Sequence, residues 1–140
     1  MTGESTPPNL CFGCGSGNAR GMKLLFERDA ARQRTVGRFR LGAEYQGPPG
    51  FIHGGIIATV LDEAMGKVSR FFDVRTVTAE LTVEYLRPVR VGQEIAVEGY
   101  LKERKGRQYY YGAEIRGAGG ELLVRGSGRF VEVDAAKFGQ

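Results

Sequence analysis

The sequence predicts an α+β domain in which an antiparallel sheet wraps around one long helix. Apolar residues repeat at helical spacing after residue 53, and segments with strand-like alternation lie on both sides of that stretch. Two such segments precede the helix and four follow it, joined by short links that suit antiparallel neighbours. The chain has 140 residues, 41% of them hydrophobic, so residues 1–140 are expected to form a single domain with its own core.

The segments before the helix predict a loop and a hairpin. Residues 1–20 are predicted to be a loop, and the first nine of them lack the apolar run of a signal peptide. Residues 21–27 and 34–40 predict the first two strands, and residues 29–32 suit the link between them. Pro48 and Pro49 stiffen the approach to the helix, which suits a loop that presents His53.

The helix predicted to begin at His53 has three different faces. The apolar face, expected to lie on the core, holds Ile57, Val60, Leu61, Ala64, Val68 and Phe71. The charged face, expected to lie in water, holds Glu63, Lys67 and Arg70. The third face holds small residues and one carboxylate: Gly55, Ala58, Thr59, Asp62, Gly66 and Ser69. Small side chains let another backbone come close, so Asp62 is the candidate functional group; an ordinary amphipathic helix with two tolerated glycines is the alternative.

Gly54 and Gly55 favour a binding role for the start of this helix. A helix N-terminus has unpaired N–H groups and a partial positive charge. Glycine there removes the Cβ atom that would keep a ligand away. The helix start is therefore expected to bind an anion or a polarised oxygen.

Four strands are predicted after the helix. Residues 75–86 alternate cleanly, with Val77, Leu81 and Tyr85 among the apolar positions and Thr78 among the polar ones. Residues 93–104, 107–116 and 121–133 predict the other three, with short turns between them. Residues 134–140 are expected to be a loose tail.

The overall composition excludes several classes of partner. The net charge is +4 and the basic residues are scattered, which does not indicate nucleic acid but is compatible with a small polyanionic ligand. No apolar run approaches the roughly 20 residues of a membrane span. A cytoplasmic location is therefore expected.

Cys11 and Cys14 form a Cys-x-x-Cys pair that predicts no metal site by itself. Zinc normally takes four ligands, and His53 is the only histidine of the chain. The glycines around the pair favour a loop over the helix start of a redox motif. A structural turn with reduced thiols is the favoured interpretation.

Three motifs resemble the hotdog-fold acyl-CoA thioesterases of the phenylacetic-acid-degradation type. They are the Gly-Phe-Ile-His-Gly-Gly stretch at residues 50–55 with Asp62 following, the strand at residues 76–89 that ends in Arg87-Pro88-Val89, and the opening at residues 11–21. The resemblance covers about residues 10–132 and implies hydrolysis of an acyl-CoA thioester without a cofactor.

The resemblance also implies roles for single residues. Asp62 matches the catalytic carboxylate, as nucleophile or as general base, and the backbone N–H of Gly55 matches the donor to the thioester carbonyl. Thr78 matches a hydroxyl that places water, and His53 matches a positioning residue. Gln46, Gly54 and Thr59 are assigned to substrate binding, although related enzymes often carry an Asn or Gln where Gly47 stands, next to Gln46.

The chemistry supports these assignments independently. Thioester hydrolysis needs a base or nucleophile and a donor for the developing oxyanion. Asp62 and the helix start supply both, while Glu63, the rival carboxylate, lies about 100° around the helix on the charged face. A dehydratase and a non-catalytic acyl-CoA sensor stay open as alternatives, and the acyl group is not predicted.

Basic residues outside the helix are the predicted contacts to the CoA phosphates. Arg87, held by Pro88, and the hairpin residues Arg104, Lys105 and Arg107 are the candidates. A solvated hairpin tip is the alternative for the last three.

The spacing of Gly55 and Asp62 predicts a homodimer with shared active sites. Seven residues of helix separate them by about 10 Å, too far to serve both ends of one carbonyl. Two antiparallel copies would bring Gly55 of each chain to Asp62 of the other. The resemblance adds a dimer of dimers as the implied larger assembly.

Overall fold

The computed structural model describes residues 8–134 and residue 136. It contains one α-helix, α1 (Gly54–Gly66), which continues as a 3₁₀ segment over Lys67–Phe72, and a second short 3₁₀ segment over Ala43–Tyr45. The strands are β1 (Glu27–Asp29), β2 (Arg34–Arg40), β3 (Thr76–Tyr85), β4 (Glu94–Lys105), β5 (Gln108–Gly117) and β6 (Leu122–Glu132).

The six strands form one sheet in the order β1-β2-β4-β5-β6-β3, and every neighbouring pair is antiparallel. The helix lies across this sheet and contacts β4, β5, β3 and β6. The predicted α+β architecture of a sheet around one long helix is confirmed. No helix among the described residues combines the length and apolar character of a membrane span.

The apolar face of α1 lies on the sheet as predicted. Ile57, Val60, Leu61 and Ala64 are buried, and Met65 joins them. The backbone of the helix itself contacts β4 at Gly99, where an added Cβ would collide with the carbonyl oxygen of Ala64. That same oxygen accepts a hydrogen bond of 2.7 Å from the buried Thr35 hydroxyl. The helix backbone thus contacts the backbone of β4 directly and accepts a side-chain hydrogen bond from β2.

The first strand differs from its prediction, since β1 comprises only Glu27–Asp29 instead of residues 21–27. The preceding residues donate backbone hydrogen bonds to the N-terminal loop: Met22 N–H bonds to Phe12 O at 2.7 Å and Leu24 N–H to Gly13 O at 2.8 Å. Their alternation therefore reflects packing against that loop.

The prediction that β3 alternates without interruption is wrong, because β3 contains a bulge. Thr78 pairs with Phe130 and Glu80 with Arg129, which leaves Ala79 without an opposite residue. Because of the extra residue, even-numbered side chains of β3 face the helix before the bulge and odd-numbered ones after it. Before the bulge Thr78 contacts a helix side chain, and after it Leu81 packs against the core.

Two of the three residues on the charged helix face are covered, contrary to prediction. The side chains of Glu63 and Lys67 are only 15% and 16% exposed, because the loop that contains Cys11 and Cys14 lies over them. Arg70 is exposed, as predicted. Of the predicted tail at residues 134–140, only 134 and 136 belong to the described residues, and residues 1–7 of the predicted loop also lie outside them.

Candidate active site

The start of α1 is capped by His53. Its backbone is extended, with φ −60° and ψ 136°, and its Nδ1 accepts the N–H of Gly55 at 2.9 Å. Because Nδ1 is the acceptor, the neutral ring carries its proton on Nε2. The carbonyl of Gly54 accepts a hydrogen bond of 2.6 Å from the hydroxyl of Tyr85 at the end of β3. The helix start is thus held from the loop side and from the sheet side.

The capping bond occupies the N–H group that the sequence assigns to the substrate. A thioester carbonyl that binds Gly55 N–H must share it with the His53 ring or displace that ring. An added Cβ at Gly55 would lie 3.1 Å from His53 Nδ1, so glycine also leaves room for the ring. The signal for this contact was present in the sequence as a polar acceptor at the N-cap position, two residues before the glycine.

Asp62 lies two turns further along the helix, half-buried on the small-residue face. Its Oδ1 accepts a hydrogen bond of 2.6 Å from the Thr78 hydroxyl. Burial raises the pKa of Asp62, the Thr78 hydrogen bond works against that rise, and the charge of Glu63 adds to it. A carboxyl group with a raised pKa is a stronger base when ionised, which suits proton abstraction from water.

A groove of about 910 Å³ runs past this carboxylate between the small-residue face and the start of β3. Asp62, Thr78 and Phe130 line it. Four cationic residues also line it: Arg28, Lys67, Arg70 and Arg75. The sequence alone does not connect these four residues with a ligand, because they come from separate segments; the available signal is that Arg70 and Arg75 lie near the helix end.

A hydrogen-bonded network of three hydroxyl groups lies beside the groove. Ser69 Oγ lies 2.8 Å from Thr76 Oγ1 and 2.7 Å from the hydroxyl of Tyr111. Burial raises the pKa of Tyr111 to about 12, so its hydroxyl stays protonated and available as a donor. This hydrogen-bonded network joins the helix end to β3 and β5.

Two of the predicted substrate contacts are engaged locally. Gln46 Oε1 accepts the N–H of Gly50 at 2.6 Å, which closes the turn before the helix. The hydroxyl of Thr59 donates to the carbonyl of Gly55 at 3.0 Å, within the helix. Both side chains thus have a structural role in this conformation.

The structure does not bring the four predicted phosphate contacts together. Arg104, Lys105 and Arg107 lie at the β4–β5 hairpin tip, where Arg107 Nη2 donates to Glu132 O at 2.9 Å, beside the start of β3. Arg87 follows the opposite end of β3, with its N–H bonded to Leu123 O at 2.9 Å. Ten residues of strand separate the two places, which corresponds to about 30 Å.

The loop that covers α1 brings a second polar cluster to the groove. Cys11 Sγ lies 3.7 Å from Glu63 Oε2, and Lys67 Nζ donates to Cys14 Sγ at 2.9 Å. Both cysteines are free thiols. Burial raises the pKa of Cys14; the hydrogen bond from Lys67 works against that rise and Glu63 adds to it. The sequence predicts a plain turn here, because Glu63 and Lys67 are distant in the chain.

One helix laid across an antiparallel sheet, with a carboxylate in the groove and a glycine pair at the helix start, defines a hotdog-fold protein. The family model described as "Thioesterase superfamily" matches residues 49–124, which include the helix start, Asp62 and Thr78. The chain belongs to the thioesterase superfamily.

Known proteins agree with this membership. The chain is 33% identical to the acyl-coenzyme A thioesterase THEM4 of Xenopus laevis over 74% of its own length and 46% of that protein. The THEM4 protein of Rattus norvegicus is 31% identical over 84% of this chain and 51% of its own length. The chain thus spans about half the length of these curated relatives.

A solved structure of RHA08564, described as a thioesterase superfamily protein, superposes with a TM-score of 0.81 at 30% identity, over 88% of this chain and 60% of that one. The structure of smu.793 from Streptococcus mutans UA159, bound to acetyl CoA, superposes with a TM-score of 0.70 at 17% identity, over 79% of this chain and 86% of that one. The second likeness concerns the fold alone.

Proposed function

We propose that this chain is an acyl-CoA thioesterase, which hydrolyses an acyl-CoA to the free acid and CoA. The observation that carries the proposal is the half-buried Asp62 carboxylate, hydrogen-bonded to Thr78, in a groove lined by cationic side chains. The names of the THEM4 relatives and the acetyl CoA in the Streptococcus mutans structure support the same substrate class. The motifs around Cys11, His53 and Arg87 support the phenylacetic-acid-degradation type within the superfamily.

In the proposed reaction Asp62 either takes a proton from water or attacks the thioester carbon itself. In the first route the water oxygen adds to the carbonyl carbon, the C–S bond breaks, and the CoA thiolate takes up the proton that Asp62 received. In the second route an acyl-Asp62 anhydride forms as CoA leaves, and water then hydrolyses it. Thr78 orients the Asp62 carboxylate in both routes, and the N–H groups at the start of α1 stabilise the oxyanion.

The phosphates of CoA are proposed to bind cationic side chains. Arg28, Arg70 and Arg75 line the groove that contains Asp62. Arg87 and the hairpin tip lie at the two ends of β3, so they serve one CoA molecule only if a second chain supplies one of them. Cytoplasmic hydrolysis of a freely diffusing acyl-CoA remains part of the proposal.

The proposed active unit is a homodimer, which two features of the fold support. The small-residue face of α1 is partly open to solvent in one chain. In the described sheet β3 is an end strand that pairs only with β6. Val77 and Tyr85 on β3, and Leu86 directly after it, are exposed apolar side chains. A further dimer of dimers is proposed as well.

The test of the function is release of CoA from a panel of acyl-CoA substrates, detected with a thiol reagent. Turnover by the wild-type chain together with loss in Asp62→Asn supports the thioesterase. Tight binding of acyl-CoA without CoA release would support a sensor instead. Disappearance of a 3-hydroxyacyl-CoA without release of thiol would support a dehydratase.

A further inference from the structure

The N-terminal loop brings two thiols against a carboxylate of the helix. The ligand atoms of Cys11, Cys14 and Glu63 all lie within 4.8 Å of one another. The distance from Cys11 Sγ to Glu63 Oε2 is 3.7 Å. Zinc bonds of about 2.0–2.3 Å in tetrahedral geometry place neighbouring ligand atoms roughly 3.3–3.8 Å apart. The three side chains thus need to close by about 1.0–1.5 Å at most to share one zinc ion.

The backbone holds these groups in place. The N–H of Gly15 bonds to the carbonyl of Cys11 at 2.8 Å, which closes the turn between the two thiols. An added Cβ at Gly13 would lie 2.6 Å from Glu63 Cδ, and one at Gly15 would lie 2.5 Å from backbone atoms of the turn. Both glycines are buried. The turn thus lies directly against the Glu63 side chain at Gly13, and at Gly15 the close backbone leaves no room for a Cβ atom.

The charges of the cluster fit a divalent cation. A bound metal ion displaces the protons of both thiols, so the two cysteines and the carboxylate then carry three negative charges, and the Lys67 ammonium supplies one positive charge. Lys67 Nζ lies 2.9 Å from Cys14 Sγ and 3.9 Å from Glu63 Oε1. A divalent ion would bring the four side chains to neutrality, with Lys67 balancing the charge from beside the ligands. Thiolate donors select zinc over the hard ions magnesium and calcium.

We propose that Cys11, Cys14 and Glu63 bind one zinc ion, with water as the fourth ligand, and that this ion fastens the N-terminal loop to α1. The Cys-x-x-Cys pair supplies half of the site, and the folded chain supplies the third ligand from a helix 49 positions further on. The three ligands line the same groove as Asp62 and Thr78. They hold the N-terminal loop against α1, and the water completes the tetrahedral coordination of the ion.

The experiment uses the full chain, fully reduced and stripped with a chelator, to which zinc alone is then added. We expect one zinc ion per chain after gel filtration, measured by elemental analysis, and an unfolding temperature that rises with zinc concentration. Cobalt added in place of zinc should give the thiolate charge-transfer absorption and the visible bands of a tetrahedral site.

Substitutions of the proposed ligands test which side chains bind the ion. Cys11→Ser, Cys14→Ser and Glu63→Gln should each weaken zinc binding in a competition titration. We expect a loss at least as large as the roughly 10–100-fold that removal of an outer-shell partner causes. Asp62→Asn changes the neighbouring carboxylate and should leave the zinc affinity unchanged. Circular dichroism without zinc shows whether each variant is folded before its affinity is compared.

Two results would overturn the proposal. One is a reduced wild-type chain that retains no zinc, and the other is zinc held equally well by the two serine variants. X-ray absorption at the zinc edge of the wild-type protein does not depend on any variant. Sulfur in the first coordination shell supports the site, whereas a shell of light atoms alone contradicts it.

Discussion

Two opposing effects act on the pKa of the Asp62 carboxyl group. Burial disfavours its charge, whereas the Thr78 hydrogen bond favours it, and the net result is a raised pKa. Such a group is more basic than an exposed aspartate, and its ionisation carries a cost for the folded chain. Activity and stability are therefore expected to respond to Asp62 in opposite directions.

The first prediction concerns turnover. Asp62→Asn keeps the size of the side chain and an oxygen that can accept the Thr78 hydrogen bond, but it removes the base. Initial rates of CoA release should fall by about 10²–10⁴-fold, the usual contribution of general acid–base catalysis. Glu63→Gln tests the rival carboxylate on the neighbouring position. If Glu63→Gln loses most of the rate and Asp62→Asn keeps it, the assignment of Asp62 is wrong.

The second prediction concerns pH. With a raised pKa, folded Asp62 holds its proton in a pH window where the unfolded chain has already lost it, so stability falls as pH rises through that window. Asp62→Asn removes this penalty and should raise the unfolding temperature at neutral pH. Below the ordinary aspartate pKa of about 3.9 the advantage should vanish.

Thermal unfolding at several pH values measures this difference. Glu27→Gln makes the same change of charge on an exposed side chain and should show no such pattern. In the wild-type enzyme the acid limb of the pH–rate profile should correspondingly lie above the ordinary aspartate range. An Asp62→Asn protein that is less stable than wild type at neutral pH would contradict the argument.

The third prediction concerns His53 as a cap. His53→Ala removes the acceptor for Gly55 N–H and should lower the free energy of unfolding by about 0.5–2 kcal/mol. His53→Asn supplies another good N-cap acceptor and should restore most of that stability. If His53 only positions the helix start, His53→Asn also restores kcat, measured on the same substrate. A stable His53→Asn enzyme without turnover would instead make the ring a participant in the chemistry.

At the scale of elements, the sequence predicts the helix start and the strands after it well. Helical period, glycine pairs and turn residues are local signals, and His53 does cap α1. These local signals do not predict the bulge at Ala79, because the alternation of apolar and polar residues continues unbroken through it in the sequence. The burial of the charged side chains of Glu63 and Lys67 is not predicted either, because the loop that covers them comes from a distant part of the chain.

The fourth prediction tests how α1 is seated on β4. Gly99→Ala places a methyl group against the Ala64 carbonyl and 2.7 Å from Thr35 Oγ1, the hydroxyl that donates to that carbonyl. The helix must shift, so the free energy of unfolding should fall by about 1–3 kcal/mol in urea denaturation.

Gly66→Ala is the matched control within the helix. Its added Cβ would lie 3.6 Å from Phe130, an ordinary contact, and its backbone is helical. This variant should be stabilised by about 0.4–1 kcal/mol. Equal effects of the two substitutions would show that the helix does not depend on close approach at Gly99.

At the scale of the whole molecule, one chain leaves the proposed site incomplete. The helix start and Asp62 are far apart on the same helix, and Arg87 lies at the other end of β3 from the hairpin tip. Sequence reasoning assigned these residues one by one because it has no measure of which end of a strand each occupies. The fold separates them within a chain, and the proposed homodimer would bring them together.

The fifth prediction is that two chains share each active site. Asp62→Ala removes the base, and Gly55→Pro removes the N–H donor and crowds the His53 ring; each protein alone should be inactive. When the two are mixed and subunits exchange, every mixed dimer regains one site of its two, with intact Asp62 from one chain and intact Gly55 from the other. Random exchange makes half the dimers mixed, so about one quarter of the wild-type rate of CoA release should return.

Subunit exchange is verified with two affinity tags, and a mixture of Asp62→Ala with Asp62→Asn serves as the control that cannot recover activity. Verified exchange without recovered activity would mean that each chain completes its own site.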